Sequence, residues 1–396
     1  MKALKGYRIL DLTHMLSGPY ATMLLGDLGA EVIKVEPPEK GEATRQLLAK
    51  DPDHSVEGMG AYFLTLGRNK KSVSLDLKSE QGMKLFYRLV EHVDVVVYNF
   101  RVGVAQRLGI DYPKLREINP KIISCSISGF GETGPHKNHV SFDIVAQATG
   151  GGMSITGHGE SPLRSGIPIG DLGGGLMAAI GIQSALLARH STGEGQHVDI
   201  SMQDAQVSML NYMATMYFLS NRQPPAIGND HFVHVPYGSF PCKDGHIILA
   251  IITDSLWERL MKLLDEPELD TEEHKGQPGR FKNKSLIDGK IGEIFQKEDR
   301  SYWLKRLADQ GVPCAPVNSF HDALKDPHIL ARDMVVSVPH PSGTMVKQPG
   351  NPIKMSAHDD EFKAPPTVGQ NTEEVCKDLL GLTEDELQTL RGEGVL

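Results

Sequence analysis

The chain has 396 residues, 40% hydrophobic and 23% charged, a composition typical of a soluble globular protein with two domains. Its formal net charge of −9 argues against general nucleic-acid binding. There is no signal-peptide pattern and no apolar run of about 18 unbroken residues, and the four cysteines are scattered. Together these features indicate a cytoplasmic protein that does not span a membrane.

The N-terminal part alternates between predicted strands and helices. Strands at Arg8–Thr13 and Glu31–Glu36 flank a helix from Gly18 to about Leu28, which is the pattern of a parallel βαβ unit. The acidic Glu36 at a strand end suggests a dinucleotide site. The first turn lacks GxGxxG, however, so NAD binding is disfavoured.

Further strands and a cluster of basic residues follow. Strands are predicted at Val73–Leu77, Val93–Tyr98, Ile122–Ser128 and His197–Ser201, with a helix from Ser79 to Glu91. The basic residues are Arg68, Lys70, Lys71, Lys78, Arg101 and Arg107. Because ligands of open α/β sheets bind at the carboxyl ends of strands, the cluster indicates either a site for a phosphate-bearing anion or a solvated basic surface.

Asp171 follows a short apolar segment, Ile167–Ile169, that is predicted as a strand, and precedes three glycines that open a helix-compatible run to Arg189. One interpretation is a helix N-cap, in which the carboxylate accepts hydrogen bonds from the first turn. The other is a nucleophile, with glycines that admit a ligand and helix N–H groups that stabilise a reacting carbonyl. Residue types alone leave both interpretations open.

The second half changes character after a helix predicted from Gln203 to Leu219. A linker-like stretch at Ser220–Asn229 precedes a small α+β domain, and the C-terminal part reads as strands and loops with a final helix from Thr383 to Gly392. We therefore expect a large α/β domain in residues 1–220, a small domain in 221–328, and a return to the large domain in 329–396. His231 and His234 have no third metal ligand at a suitable spacing, so no metal site is expected.

Several segments resemble the class III CoA-transferases, the superfamily of formyl-CoA transferase, carnitine CoA-transferase and α-methylacyl-CoA racemase. The resemblance covers essentially the full chain in the right order. It lies in Leu10–Thr13 with Gly18-Pro19, Leu28–Glu36, Asn69–Ser72, Asn99–Arg101, Ser128–Gly131, Gly170-Asp171, Gly193–Gln196, Met202–Ala205, Gly311–Val317 and Gly350–Lys354. It implies a Rossmann-like parallel sheet with a smaller α+β domain, in a homodimer of interlocked chains.

The resemblance also implies the chemistry. Asp171 would be the nucleophile that forms an aspartyl anhydride and then an aspartyl-CoA thioester. CoA thioesters would be substrates, with no permanently bound cofactor. Residues expected to contact CoA are Leu16, Ser17, Lys78, Asn99, Phe100, Arg101, Arg107, Val140, Phe142 and Asp143. His231 and Tyr237 are expected to contact the acyl group.

Some positions depart from formyl-CoA transferases. Those enzymes have Gln where Leu16 stands, two Arg at Pro37-Pro38, and Lys and Tyr near Val140 and Phe142, together with a glycine-only lid that this sequence lacks. Formate and oxalate are therefore disfavoured as the acid pair, and succinyl-CoA with a short-chain or dicarboxylic acid is preferred. The alternatives are a racemase of the same superfamily and a CoA-binding protein without turnover.

Overall fold

The computed structural model describes residues 2–396, which form two compact units. Unit 1 comprises residues up to Met153 together with Arg164–Arg222 and Leu330–Leu396, and unit 2 comprises Ser154–Leu163 and Gln223–Ile329. Residues 154–163 therefore belong to the small unit although they lie inside the range 1–220. The reason is that one short strand of this segment pairs with Ala226–Ile227.

The strands are short, as is usual for an α/β protein. In chain order they are β1 (Arg8–Asp11), β2 (Glu31–Glu36), β3 (Ser55–Val56), β4 (Met59–Gly60), β5 (Lys70–Ser74), β6 (Val95–Tyr98), β7 (Ile123–Ser128), β8 (His158–Gly159), β9 (His197–Ser201), β10 (Ala226–Ile227), β11 (Tyr237–Cys242), β12 (Gly245–Ala250), β13 (Cys314–Pro316), β14 (Val335–Pro339) and β15 (Met345–Pro349).

The helices connect these strands and cover the sheets. They are α1 (Ser17–Asp27), α2 (Ala61–Leu66), α3 (Glu80–Val90), α4 (Val104–Leu108), α5 (Tyr112–Ile118), α6 (Asp143–Thr149), α7 (Gly152–Ile155), α8 (Ile169–Thr192), α9 (Met202–Leu210), α10 (Tyr212–Ser220), α11 (Asp254–Leu264), α12 (Gln277–Lys282), α13 (Lys284–Phe295), α14 (Arg300–Asp309), α15 (Phe320–Lys325), α16 (Pro327–Ala331), α17 (Thr372–Leu380) and α18 (Glu384–Gly392).

Unit 1 is built on a six-stranded sheet in the order β5-β2-β1-β6-β7-β9. All five neighbouring pairs are parallel, so the predicted Rossmann-like large domain is confirmed. Alternate residues of each strand face opposite sides. Leu10 and Val96 belong to one buried cluster, whereas Ile9 and Val95 belong to the other. The sheet is thus buried on both faces, as parallel sheets generally are.

The C-terminal residues complete one edge of this sheet. Strand β5 is an edge strand, and its Ser72 and Ser74 N–H groups donate to Asn371 Oδ1 (3.1 Å) and Thr372 Oγ1 (2.9 Å). Two residues after Ser74, the N–H group of Asp76 donates to the Val395 carbonyl (2.8 Å). Side chains and loops of the C-terminal segment therefore satisfy backbone groups that an edge strand would otherwise leave open.

Unit 2 contains the three-stranded antiparallel sheet β11-β12-β13. Its core is formed by this sheet with helices α11, α13 and α14, and Trp257 and Trp303 are among its buried residues. Arg280 is fully buried there and pairs with Asp254 at 2.7 Å. The small α+β domain predicted from the sequence is confirmed.

Most predicted elements of the sheet lie within two residues of the observed ones, but four predictions were wrong. The strand expected at Val73–Leu77 lies at Lys70–Ser74, and Ile167-Pro168 is not in a strand. The single helix predicted from Gln203 to Leu219 is broken at Asn211, whose φ is +48°. The C-terminal part contains an additional helix, α17.

Helix α8 is the central helix of unit 1. By length and composition alone it is apolar enough to cross a membrane. In the fold, however, it packs against α1, α9 and the strands β7 and β9. Its apolar character is therefore that of a helix covering a sheet.

Candidate active site

Asp171 is the third residue of α8, which begins at Ile169 after the N-cap residue Pro168. The helix has no side-chain cap at Pro168, and Asp171 lies inside its first turn. The N-cap interpretation of Asp171 is therefore wrong. Its carboxylate is half-buried and lines a cavity.

Asp143, the first residue of α6, takes over the capping role. Its Oδ1 accepts hydrogen bonds from the N–H groups of Gly170 (2.8 Å) and Asp171 (3.3 Å), while its Oδ2 accepts one from Gln147 (2.8 Å). A negative charge at a helix N-terminus is favourable. Because these N–H groups already have an acceptor, they are not free to stabilise a reacting carbonyl, contrary to the sequence-based expectation.

The electrostatic surroundings raise the pKa of Asp171 to about 6. Burial is the larger cause, because it penalises the charged form, and the negative charge of Asp143 adds to it. A carboxylate with a pKa near 6 is ionised at neutral pH and is more basic than an ordinary aspartate. Such perturbed groups beside a cavity are typical of functional sites.

The glycines after Asp171 serve helix packing rather than ligand access. A Cβ on Gly175 would lie 2.6 Å from the Ser17 carbonyl oxygen and 3.0 Å from Tyr20. A Cβ on Gly174 would lie 3.0 Å from Met202 Cγ. The glycines therefore let α8 approach α1 and α9 closely. The interpretation that they let a ligand approach the backbone was wrong.

The cavity beside Asp171 has a volume of about 420 Å³ and lies at the carboxyl ends of β1, β6 and β7. This is the edge at which open α/β sheets bind ligands. Of the residues predicted from the sequence, it is lined by Leu16, Ser17, Asn99, Phe100, Arg101, Val140, Phe142, Asp143 and Asp171. Val140 and Phe142 are 50% and 59% exposed, so their apolar surfaces are available to a ligand.

A second, largely apolar cavity of about 220 Å³ adjoins the first, since His14 and Phe100 line both. Lys78 and Leu108 lie on its wall. Arg107 lines neither cavity and is exposed on the adjoining helix α4.

Half of the basic cluster has a structural role. Arg68 is buried and pairs with Asp27 (2.6 Å), Lys70 is buried and pairs with Asp11 (2.8 Å), and Lys71 bridges Glu31 and Glu374 (2.6 and 2.7 Å). These three were wrongly grouped with the ligand-binding candidates. Within residues 2–396, the exposed side chains of Lys78, Arg101 and Arg107 have no ion pair or hydrogen bond to other protein groups.

Asn99 holds the loop after β1. Its Nδ2 donates to the His14 carbonyl (2.7 Å), and its Oδ1 accepts from the His14 N–H (2.8 Å). Both ends of the amide are thus bonded to one backbone position. Asn99 is therefore a residue that positions the segment leading into α1.

Sequence reasoning missed several side chains that line the larger cavity, among them His14, Tyr62, Lys137 and His139. His14 directly follows the Leu10–Thr13 segment of the family resemblance, and that position could have suggested it. Lys137 and His139 lie in the irregular loop between β7 and α6, where no periodic pattern marks them.

His231 and Tyr237 lie in unit 2. Their rings are 4.9 Å apart between centroids, and the ring of His234 is 4.6 Å from that of His231. The Nδ1 atom of His231 accepts hydrogen bonds from the N–H groups of Val233 (3.0 Å) and His234 (3.2 Å). Partial burial and then His234 lower the pKa of His231. In the part of the chain that the structure describes, no three His, Cys, Asp or Glu residues form a metal-binding group.

Comparison with known proteins identifies the family. The sequence profile of CoA-transferase family III matches residues 4–372. Succinyl-CoA:glutarate CoA-transferase from Homo sapiens is 35% identical over 399 residues, which cover 100% of this chain and 90% of that protein. Succinyl-CoA:mesaconate CoA-transferase from Haloarcula marismortui is 39% identical over 362 residues, which cover 90% of this chain and 91% of that protein.

The fold agrees with this result. A CaiB/BaiF family protein from Brucella suis, of known crystal structure, is 35% identical and superposes with a TM-score of 0.84, covering 96% of this chain and 99% of that one. The chain belongs to CoA-transferase family III. It is an enzyme that transfers CoA, and CoA thioesters are the substrates of its relatives. The prediction of an enzyme is therefore confirmed, and the alternative of a CoA-binding protein without turnover is wrong.

Proposed function

We propose that this enzyme transfers CoA from succinyl-CoA to a short-chain dicarboxylic acid through covalent intermediates on Asp171. The proposal is carried by one observation: the carboxylate of Asp171, with a pKa of about 6, lines the larger cavity at the strand ends. The printed names of both relatives combine succinyl-CoA with a dicarboxylic acid, which supports the choice of substrates.

In the first half-reaction, the Asp171 carboxylate attacks the thioester carbonyl. The C–S bond breaks, CoA thiolate leaves, and an acyl-aspartyl anhydride forms. The thiolate then attacks the carbonyl carbon of Asp171. The anhydride C–O bond breaks, the donor acid leaves, and the enzyme is left as an aspartyl-CoA thioester.

In the second half-reaction, the acceptor carboxylate attacks the aspartyl-CoA thioester and releases CoA thiolate. The thiolate attacks the acceptor carbonyl of the new anhydride, which yields acceptor-CoA and restores the Asp171 carboxylate. No water, oxidant or reductant is consumed. The exposed apolar surfaces of Val140 and Phe142 would exclude water from the anhydride once substrate covers them.

CoA would bind across both cavities. The smaller apolar cavity suits the adenine ring, and the unpaired cations Lys78, Arg101 and Arg107 suit the phosphates. Leu16 and Ser17 would contact the pantetheine arm where it reaches Asp171. Asn99 acts here by holding the His14 backbone.

We propose that the protein acts as an interlocked homodimer, in which His231 and Tyr237 of the small unit contact the acyl group. An exposed apolar surface on unit 1 supports the dimer. Ile180 and Leu187 of α8 are 56% and 71% exposed, and Phe218 and Leu219 of α10 are 79% and 84% exposed. Exposed apolar side chains clustered on a surface are typical of a protein–protein interface, and these four residues lie on two helices of unit 1.

The test is chemical trapping of Asp171. With succinyl-CoA and hydroxylamine present, peptide mass spectrometry should find Asp171 as its hydroxamate. Asp171→Asn should fold and lose transfer by several orders of magnitude, because an amide cannot form the anhydride. Asp204→Asn is the matched control, since Asp204 is an exposed carboxylate in the first turn of α9 outside the cavity. Substantial transfer by Asp171→Asn would remove Asp171 from the mechanism.

A further inference from the structure

The loop between β7 and α6 contributes polar side chains to the larger cavity, which Asp171 also lines. Lys137 and His139 of this loop line the cavity, and the residue at its end, Asp143, holds the backbone of the nucleophile by hydrogen bonds. Lys137 therefore lies in the loop that ends at Asp143, the residue that contacts the backbone of the proposed nucleophile. None of the motifs that identify the family includes it.

The charges around the cavity leave Lys137 without an assigned partner. Two side chains on its wall are permanently cationic, Arg101 and Lys137, and two are carboxylates, Asp143 and Asp171. Arg101 follows Phe100, which also lines the cavity proposed for adenine, so Arg101 is on the nucleotide side. No ion pair or side-chain hydrogen bond of Lys137 occurs within residues 2–396.

A dicarboxylic acyl group brings a second negative charge into this site. Near Asp143 and Asp171 that charge would be repelled unless a cation faced it. We propose that Lys137 binds the distal carboxylate of the acyl group and thereby selects dicarboxylic over monocarboxylic acids. This inference rests on the proposed function, and it names the residue that sets the substrate class.

The loop is anchored so that Lys137 is presented from a fixed base. The N–H group of Glu132 donates to Asp199 (2.9 Å), and the Glu132 carboxylate lies 3.3 Å from Nε2 of His197. Next to Lys137, the rings of His136 and His139 are 4.7 Å apart, and both contact the ring of Phe130. The backbone at Lys137 is therefore held in place before a substrate binds, and the lysine side chain alone loses freedom when it pairs with a carboxylate.

The test compares acceptors that differ only in the distal carboxylate. With succinyl-CoA as donor, kcat/KM is measured for glutarate and for pentanoate, which has the same five-carbon chain. Because the acceptor enters only the second half-reaction, this ratio is independent of how the donor binds. Lys137→Met should lower the glutarate-to-pentanoate ratio by about tenfold to a hundredfold, the effect of losing a hydrogen bond between charged groups. Lys137→Arg should retain most of the ratio.

Lys50→Met is the matched control and should leave the ratio unchanged, because Lys50 is exposed and lines neither cavity. An unchanged ratio in Lys137→Met would overturn the inference while leaving the proposed function intact. Equal losses with both acceptors, with a raised KM for succinyl-CoA, would place Lys137 on the CoA phosphates and also overturn it. A wild-type enzyme that uses pentanoate but not glutarate would contradict the proposed substrates themselves.

Discussion

At neutral pH the carboxylate of Asp171 is ionised although burial and Asp143 both oppose its charge. A pKa raised from 3.8 to about 6 means that the folded state binds this proton more tightly than the unfolded state. The free energy of unfolding therefore falls as pH rises from about 4 to 6. The total decrease is on the order of 2 kcal/mol after solvent screening, and it persists above pH 6.

Asp171→Asn should accordingly be more stable than the wild type at pH 7.5 and about equally stable at pH 4. The neutral amide avoids the charge, while the hydrogen bonds that the backbone N–H groups of residues 170 and 171 donate to Asp143 Oδ1 are untouched. Thermal unfolding at the two pH values measures this difference. If the variant were more stable than the wild type by the same amount at both pH values, the ionised carboxylate would not be the cause of the difference.

Asp143→Asn addresses the second cause of the raised pKa. The amide oxygen can still accept from the Gly170 N–H, but the negative charge beside Asp171 is gone. The pKa of Asp171 should fall, so the acid limb of the pH profile of kcat/KM should move to lower pH. Asp204→Asn should not move it. If the limb stayed in place in Asp143→Asn, the titrating group would not be Asp171.

The sequence identified Asp171 as the candidate nucleophile, which is the basis of the proposed function, but misjudged the residues around it. The Gly170-Asp171 segment is a local signal. By contrast, the pairing of Arg68 with Asp27 and of Lys71 with Glu374 depends on strand order and on residues far along the chain. A sequence cannot show which cations find such partners. Lys137 went unnoticed for the opposite reason, because nothing near it in sequence distinguishes it from a solvated lysine.

At the scale of elements, the close approach of α8 to α1 depends on Gly175. Gly175→Ala should destabilise the protein by about 1 to 3 kcal/mol, because the added Cβ would lie 2.6 Å from a backbone oxygen that cannot rotate away. The same change at an uncrowded helix position, Gly289→Ala in α13, should stabilise the protein by about 0.5 to 1 kcal/mol. Denaturant unfolding of the two variants compares them. A neutral effect of Gly175→Ala would mean that the two helices can separate at little cost.

Most strand positions in the sheet were predictable because the strands are short, largely apolar segments between turn signals, whereas β5 is mostly polar and was placed three residues too late. The break at Asn211 was not, since the apolar pattern continues through α9 and α10 and only the backbone conformation changes. Helix α17 was missed because it is short and its sequence, Thr372–Leu380, carries four charged residues and a narrow apolar face.

For the whole molecule, the competing activity is racemisation, which needs two acid/base groups around the α-carbon. Phe142 cannot serve as one, but His14 and His139 line the same cavity as Asp171. We still expect transfer alone, because the named relatives are CoA-transferases. In heavy water, 2-methylacyl-CoA should gain no deuterium at its α-carbon. Rapid uptake without any acceptor acid would establish a racemase.

The proposed homodimer predicts a mass in solution twice that of one chain. Light scattering at micromolar concentration should give this mass and should not change on dilution, since interlocked chains cannot separate without unfolding. Replacing exposed apolar residues, as in Phe218→Asp with Leu219→Asp, should reduce the yield of folded protein. A monomer mass for the wild type would contradict the proposal.

The hydrogen bonds that close the β5 edge have a consequence for synthesis on the ribosome. The partners of Ser72, Ser74 and Asp76 are translated after all of unit 2. Until they emerge, the nascent chain carries an open, partly apolar strand edge that other chains can pair with. Unit 2, whose longer segment is continuous, can fold earlier. Unit 1 therefore begins to be translated before unit 2 but is completed after it. Chains interrupted before residue 371 would be the species that bind chaperones and are most prone to aggregate.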